Sequence, residues 1–291
     1  MEWQTTIREA APLSGVGLHT GNFCRLIFRP APANMGIRFI RTDLPDSPAI
    51  PARVRYVVDT TRGTTLGIGK AVAHTVEHVL AACAGLGIDN LDILMDNNEP
   101  PATDGSAMPF LKALLNAGIK AQPHFPKRYL KIPEKVHYRS GYAVYTAYPS
   151  DHFEIRCAIL HDHPMLPKQM IHLKINPETF LNQIASARTF CFEHELAALR
   201  SMGLARGGSL ENAVVIGADK FHTNKEGLRF EDEFVRHKVL DLLGDLSLVG
   251  RSLFKLRVEA IRCGHAHNVK FAGMLDRSAH QLRKSKEENK C

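Results

Sequence analysis

Between residues 229 and 250 the run R-F-E-D-E-F-V-R-H-K-V-L-D-L-L-G-D-L-S-L-V-G sorts its side chains by period. At about 100° per residue, Val235, Val239, Leu242, Leu243 and Leu246 share one arc of roughly 100°, and His237, Lys238, Asp241 and Asp245 face the other way. The pattern predicts a long amphipathic helix. Residues 72–84 carry a similar pattern: Val72, Val76, Val79 and Leu80 recur at helical spacing and leave His74, Glu77 and His78 on the opposite side. Gly85 and Gly87 then end the predicted helix.

Elsewhere the pattern alternates with the period of half-buried strands. Residues 5–30 hold two strand-like stretches around G-V-G-L-H-T-G at 15–21, a glycine-made turn that carries His19. Strands are expected at 37–41, 50–58 and 91–95 in the first half, and at 129–132, 142–148, 153–160, 213–216 and 255–262 in the second. Residues 59–66 and 96–106 read as loops, and 108–117, 177–184 and 193–202 as short helices. Residues 187–192 read as extended, and 203–213 as a glycine-rich connection. The stretch Q-P-H-F-P-K at 122–127, with two prolines and no periodicity, is the linker candidate. Each half then runs strands, helix, strand and helix, without a sequence repeat between them. That order predicts an α+β fold over alternating βαβ units. The expected division is a first domain at 1–126, a second at 127–276, and a polar, frayed tail at 277–291.

Composition adds limits. A chain of 291 residues, 44% hydrophobic and 23% charged, can bury a core without disulfides. A net charge of +7 and a pI near 9.1 suit an acidic partner such as nucleic acid, a phosphate ester or an anionic membrane face. The sequence has no Lys/Arg-rich run with interleaved aromatics, which counts against nucleic acid. The six cysteines, Cys24, Cys83, Cys157, Cys191, Cys263 and Cys291, form no C-x-x-C pair. The first ten residues hold no apolar signal core, and the longest apolar run, 79–88, is too short to span a bilayer. The expectation is a soluble, reduced, cytoplasmic protein that would hold any metal through His and carboxylate.

Four constellations carry candidate chemistry. His237 and Asp241 stand at i and i+4, so both can reach one divalent metal from a rigid helix; a solvated helix face would carry the same residues. The run A-H-T-V-E-H-V-L contains H-x-x-E-H, a pattern used by some zinc peptidases. G-H-A-H-N at 264–268 follows a predicted strand, and a His at a strand end can be aimed into a cleft. In S-A-R-T-F at 186–190, the Thr189 hydroxyl can donate to an oxyanion or simply pack. Taken together, these are His, Asp and Glu sources on two helices of two domains plus a loop His. A catalytic zinc site at a domain interface needs such a set: three ligands, an open position, a base and an acid.

G-V-G-L-H-T-G, T-V-E-H, A-G-L-G-I-D-N-L, D-G-S-A, A-R-T-F, G-L-A-R-G-G-S-L-E-N-A, G-L-R-F-E-D-E-F-V-R-H-K-V-L-D-L-L-G-D-L and G-H-A stand in that order along the chain, to about residue 275. On these motifs the chain resembles the UDP-3-O-acyl-N-acetylglucosamine deacetylases, zinc amidases of lipid A synthesis. The resemblance implies two similar domains, each a β-sheet with two α-helices, with the helix layers packed together and the active site at the interface. It implies His78, His237 and Asp241 as zinc ligands, with ferrous iron as an alternative metal in the cell. Glu77 is implied as the general base, and His265 as the general acid, held by Asp245. Thr189 is implied as the oxyanion donor, Lys238 as a contact to the charged nucleotide end, Phe190 as an apolar wall, and His19 as a further substrate contact. An insert near 193–213 would form the acyl tunnel. The implied partner is a small UDP-linked, acylated amino sugar, not nucleic acid, and the expected state is a monomer with no transmembrane segment. Three positions depart from the family pattern: His74, His267, and Cys191 where a glycine is usual. The rival readings are a zinc peptidase using His74, Glu77 and His78, and a basic, non-catalytic RNA-binding protein.

Overall fold

The computed structural model describes residues 2–288. Two five-stranded sheets dominate it. In the first, the order is Ala11–Val16, Phe23–Pro30, Leu91–Met95, Ile37–Arg41, Ala49–Pro51; in the second it is Val136–Ser140, Ala143–Pro149, Leu256–Ile261, Glu154–Ile159, Gln169–Lys174. Numbered along the chain, both sheets read 1-2-5-3-4. In both, strands 5 and 3 pair parallel and the other neighbours antiparallel. The topology therefore repeats where the sequence does not. Phe23–Pro30 shows the reason for a one-sided strand: Cys24, Leu26 and Phe28 point into the core while Phe23, Arg25 and Ile27 point out.

Six helices accompany the sheets: α1 (Glu77–Gly85), α2 (Met108–Asn116), α3 (Pro177–Gln183), α4 (Leu196–Ser201), α5 (Glu233–Ser247) and α6 (His265–Glu288). In each half a small three-stranded sheet leads into a helix, the last strand of the large sheet follows, and a second helix closes the half. The pairs are α1 with α2 and α5 with α6. The structure is thus α+β in two similar parts, with α1 packed across α5 where the helix layers meet. At that crossing a Cβ on Gly244 would lie 2.1 Å from the carbonyl oxygen of Glu77, so only glycine fits.

Several expectations need correction. The helix expected at 72–84 begins only at Glu77; Ala71–Ala73 is a strand, and Thr75 between them has φ 50°. That removes His74 from the helix. The supposed loop at 59–66 supplies parts of a three-stranded sheet, Val57–Asp59, Thr65–Ile68 and Ala71–Ala73. The linker candidate belongs to strand Ile119–Pro126, which pairs antiparallel with Trp3–Ile7; its prolines are tolerated because this is a two-stranded edge ribbon. Residues 129–132 make only one bridge, Tyr129 to Ser252. The G-H-A-H-N turn opens α6, which continues the stretch expected as a tail as far as Glu288; residues 289–291 lie outside the described residues. The polar face of α5 is not solvated, for His237, Asp241 and Asp245 are all buried against the first domain.

Candidate active site

The site is built at helix ends and at the helix crossing. Before α1, Val76 N–H donates to Thr64 O at 3.1 Å, and Thr64 N–H donates to Glu77 Oε2 at 2.9 Å. The left-handed backbone at Thr75, costly for a β-branched residue, is held by its hydroxyl, which donates to Glu99 at 2.8 Å. Glu99 is fully buried and also accepts from the backbone N–H groups of His19 and Thr20. This turn sets Glu77 and His78 at the first two positions of α1, facing α5.

Across the seam, the ring nitrogens of His78 and His237 lie 3.5 Å and 3.3 Å from Asp241 Oδ1. One potential ligand atom from each of the three lies within 4.8 Å of the others. His237 Nδ1 donates to Ala187 O at 3.1 Å, which fixes the tautomer and leaves Nε2 as a lone-pair donor. Burial, outweighing the pull of Asp241, lowers the His237 pKa to about 3, so the ring stays neutral. Burial also opposes ionisation of Asp241, yet the positive charges around it, Lys238 and His265, hold its carboxyl well below the usual range. Asp241 Oδ1 is buried with no hydrogen-bond partner among the described residues. Two imidazoles and an orphaned carboxylate oxygen, converging on one point, are the donor set that a divalent cation satisfies.

His265 and Glu77 flank this triad. His265, the first residue of α6, donates through Nδ1 to Asp245 at 2.9 Å, which aims Nε2 toward Glu77 Oε1 at 3.9 Å and Asp241 Oδ2 at 3.8 Å. Asp245 also accepts from the Thr64 hydroxyl at 2.6 Å and from Asn268 at 2.9 Å. Burial alone would lower the His265 pKa, but Asp245, Asp241 and Glu77 together raise it to about 10. Burial pushes Glu77 above the usual carboxylate range, against the pull of His265 and His78. One group is thereby held protonated beside another whose proton affinity is raised. Such pairs mark acid–base sites.

A cavity of about 240 Å³ joins these groups: Glu77, His78, Thr189, Phe190, His237, Lys238, Asp241 and His265 all line it. Lys238 donates to Asp241 Oδ2 at 2.7 Å and lies 5.6 Å over the Phe190 ring. An adjoining cavity of about 270 Å³ continues past Phe190 and Lys238 to Arg62, His161 and Arg262. Of the residues expected from sequence, His19 does not line the central cavity. Its ring stitches two loops, meeting Arg62 O at 3.3 Å and accepting from Ala205 N–H at 3.4 Å. His74 bonds Thr65 Oγ1 at 3.0 Å and belongs to neither convergent ligand set, which leaves the peptidase geometry unsupported. His267 turns to the Tyr138 hydroxyl at 2.9 Å and does not crowd the cleft. Cys191 sits in the strand Phe190–Phe192 without positive φ, so no glycine is required there.

Sequence reasoning missed Thr64, Glu99, Asn268 and Arg188. Arg188 is fully buried, and its backbone N–H and Nε both donate to Glu233 Oε1 at 2.9 Å, which ties the loop bearing Thr189 to the start of α5. Asn268 and Arg188 stood inside the runs G-H-A-H-N and A-R-T-F, whereas Thr64 and Glu99 lay in stretches read only as loops.

A family model described as UDP-3-O-acyl N-acetylglycosamine deacetylase, LpxC, matches residues 4–277. The chain is 44% identical over 281 residues to a UDP-3-O-acyl-N-acetylglucosamine deacetylase of Myxococcus xanthus, covering 96% of this chain and 88% of that one. It is 45% identical over 270 residues to the protein of the same name from Citrifermentans bemidjiense, covering 93% and 88%. It is 41% identical over 303 residues to a bifunctional LpxC/FabZ enzyme of Chlorobaculum tepidum, covering 95% of this chain and 64% of that enzyme. With nearly the whole length matched, the chain belongs to the UDP-3-O-acyl-N-acetylglucosamine deacetylase family.

Proposed function

We propose that this protein hydrolyses the N-acetyl group of UDP-3-O-acyl-N-acetylglucosamine, releasing acetate in lipid A biosynthesis, and that His78, His237 and Asp241 hold the metal it uses. The observation that carries the reading is the convergence of those three on an otherwise unpartnered Asp241 Oδ1, with Glu77 and His265 alongside. Zinc bound there would lower the pKa of a coordinated water and polarise the amide carbonyl, and ferrous iron suits the same ligands. Glu77 takes the proton of the attacking water, for which its raised proton affinity fits it. His265, kept protonated by the carboxylates around it, delivers a proton to the leaving amine nitrogen. Thr189, in the same cavity, offers its hydroxyl to the developing oxyanion. The C–N bond breaks, and acetate and a free amine leave.

Lys238, with Arg62 and Arg262 in the adjoining cavity, supplies positive charge for the diphosphate of the nucleotide, and Phe190 forms the apolar wall between the two cavities. The insert at 193–213 is the proposed acyl route. It packs on the 15–21 turn, with Arg206 N–H on His19 O and Gly207 N–H on Leu18 O, and leaves Met202 and Leu210 exposed. His19 acts on substrate through that packing. We place the domain boundary at 126/127, and read the protein as a cytoplasmic monomer. Free cysteines at all five described positions support a reducing compartment. No helix among the described residues is long and apolar enough to cross a membrane. The test is acetate release from the acylated UDP-sugar by metal-stripped and zinc-restored protein. Restored activity is expected; no release by the restored protein sinks the reading.

A further inference from the structure

A second concave site lies where the two domains meet near the end of α5, away from the reacting groups. It is a cavity of about 270 Å³ whose charged lining is Arg53, Arg55, Arg128, Arg251, Asp276 and His280. Arg53 and Arg55 come from the first domain, Arg128 and Arg251 from the second, and Asp276 and His280 from α6. Among the described residues, the guanidiniums of Arg53, Arg55 and Arg128 share this lining with one carboxylate, and that carboxylate already lies 3.5 Å from His280. Arg53 has a structural role of its own. It donates to Val249 O at 3.0 Å and lies flat on Gly250, where a Cβ would fall 1.1 Å from its Nη1. This places a cation on a carbonyl two residues past the end of α5, near the negative end of the helix, which is favourable. One arginine suffices for that role. Arg55 and Arg128 lie on the exposed rim and make no ion pair with any described carboxylate. Burial works most strongly against the charge on Arg53; Asp276 supports it, and the charges of Arg55 and Arg128 oppose it. Like charges gathered in a concavity cost free energy that a bound anion recovers, and guanidinium forks match phosphate oxygens two by two.

We infer that this seam cavity is a binding site for a phosphate group, carried by a soluble phosphate ester or diphosphate, or by a phospholipid headgroup. Counting 1.5 Å per residue along α5, its last residue Ser247 stands roughly 9 Å from Asp241, and the cavity lies beyond that end at Leu248, Val249 and Gly250, lined by none of the residues around Lys238. A ligand there touches both domains and the end of the helix that carries His237 and Asp241.

The test is calorimetric titration of inorganic pyrophosphate into metal-loaded protein, with R55A/R128A and R55K/R128K beside the unaltered chain. Both positions are exposed, so the variants keep the fold and the metal, which thermal melting and metal analysis verify. The unaltered protein should bind, and R55A/R128A should bind more weakly by roughly ten-fold or more for each guanidinium lost. R55K/R128K should fall between them, because charge remains while the fork is lost. A parallel arm sediments the protein with phosphatidylcholine vesicles, with and without phosphatidylglycerol. Co-sedimentation that needs phosphatidylglycerol and both arginines identifies the headgroup as the source, and pyrophosphate binding without it identifies a soluble phosphate. If the unaltered protein ignores both probes, or binds them as tightly as R55A/R128A does, the site does not exist. Pyrophosphate held by Lys238, Arg62 and Arg262 would be common to all three proteins, so only the binding lost with Arg55 and Arg128 reports the seam, and none of these readouts uses deacetylation.

Discussion

Replacing Gly244 by alanine separates two opposed effects whose sizes can be worked from the structure. Gly244 sits inside α5, where alanine is the better helix former by about 1 kcal/mol. A Cβ there would lie 2.1 Å from Glu77 O and 2.8 Å from Glu77 C, whereas ordinary contact begins near 3.4 Å. Both obstacles are main chain, so no rotamer change relieves them. The crossing of α1 and α5 must open by about 1.3 Å, and overpacking of this kind costs about 1–3 kcal/mol. The net effect on stability is therefore a loss of up to about 2 kcal/mol. Function should suffer more. Glu77 and His78 ride on α1 while His237 and Asp241 ride on α5, and a shift of about 1 Å in reacting groups costs on the order of 10²-fold in rate. The matched control is Gly273→Ala in α6, where the nearest side-chain atoms are 3.5 Å away and a Cβ has room. Acetate-release kinetics and thermal melting on both variants make the comparison. Gly244→Ala should lose at least ten-fold in kcat and melt lower, and Gly273→Ala should keep its rate and melt the same or higher. A Gly244→Ala protein with unaltered kcat and a raised Tm would refute the claim that the closeness of this crossing positions the site.

Glu77→Gln should retain metal and lose about 10²–10⁴-fold in turnover, because an amide cannot accept the water's proton; metal analysis beside steady-state kinetics checks it. His265 has its pKa raised to about 10, so its proton is in place at neutral pH and is lost as pH rises through that value. Activity should fall on that alkaline limb, and a His265→Gln variant should be slow without showing it; an unchanged limb in the variant removes His265 as its source. Metal titration should find His74→Ala like the unaltered protein, and His78→Ala, His237→Ala and Asp241→Ala each weakened. Release of metal by His74→Ala with retention by Asp241→Ala would overturn the ligand set.

Local pattern carried some elements directly. Leu91–Met95 and α2 are continuous apolar or amphipathic segments bounded by polar loops or glycine, and their limits match expectation closely. The start of α1 was misread because Val72 and Val76 have helical spacing by coincidence. Val72 belongs to a strand, and the turn at Thr75 depends on Glu99, 24 residues away, which no local window contains. The strands Val136–Ser140 and Gln169–Lys174 escaped notice as edge strands with few fully buried side chains. In α6 the apolar positions Phe271, Ala272, Leu275 and Ala279 do repeat at helical spacing, but a polar start and a charged end masked them. For the site, the i, i+4 relation of His237 and Asp241 was visible in the chain. Their burial was not, since it depends on a helix more than 150 residues earlier.

The repeated 1-2-5-3-4 strand order bears on how such a site can arise. Each half presents its equivalent helix, α1 or α5, to the other across the seam. Two identical chains docked this way about a two-fold axis would offer every side chain twice, in equivalent roles. A site on that axis would hold two copies of each residue, and could tell an acid from a base only by their protonation, as paired identical carboxylates do. Joined in one polypeptide, the halves are released from that symmetry. One then contributes Glu77 and His78 and the other His237, Asp241 and His265. Amide hydrolysis takes a proton from water on one side and gives a proton to nitrogen on the other, and two halves that differ in residue type can place a carboxylate on one flank and an imidazole on the other.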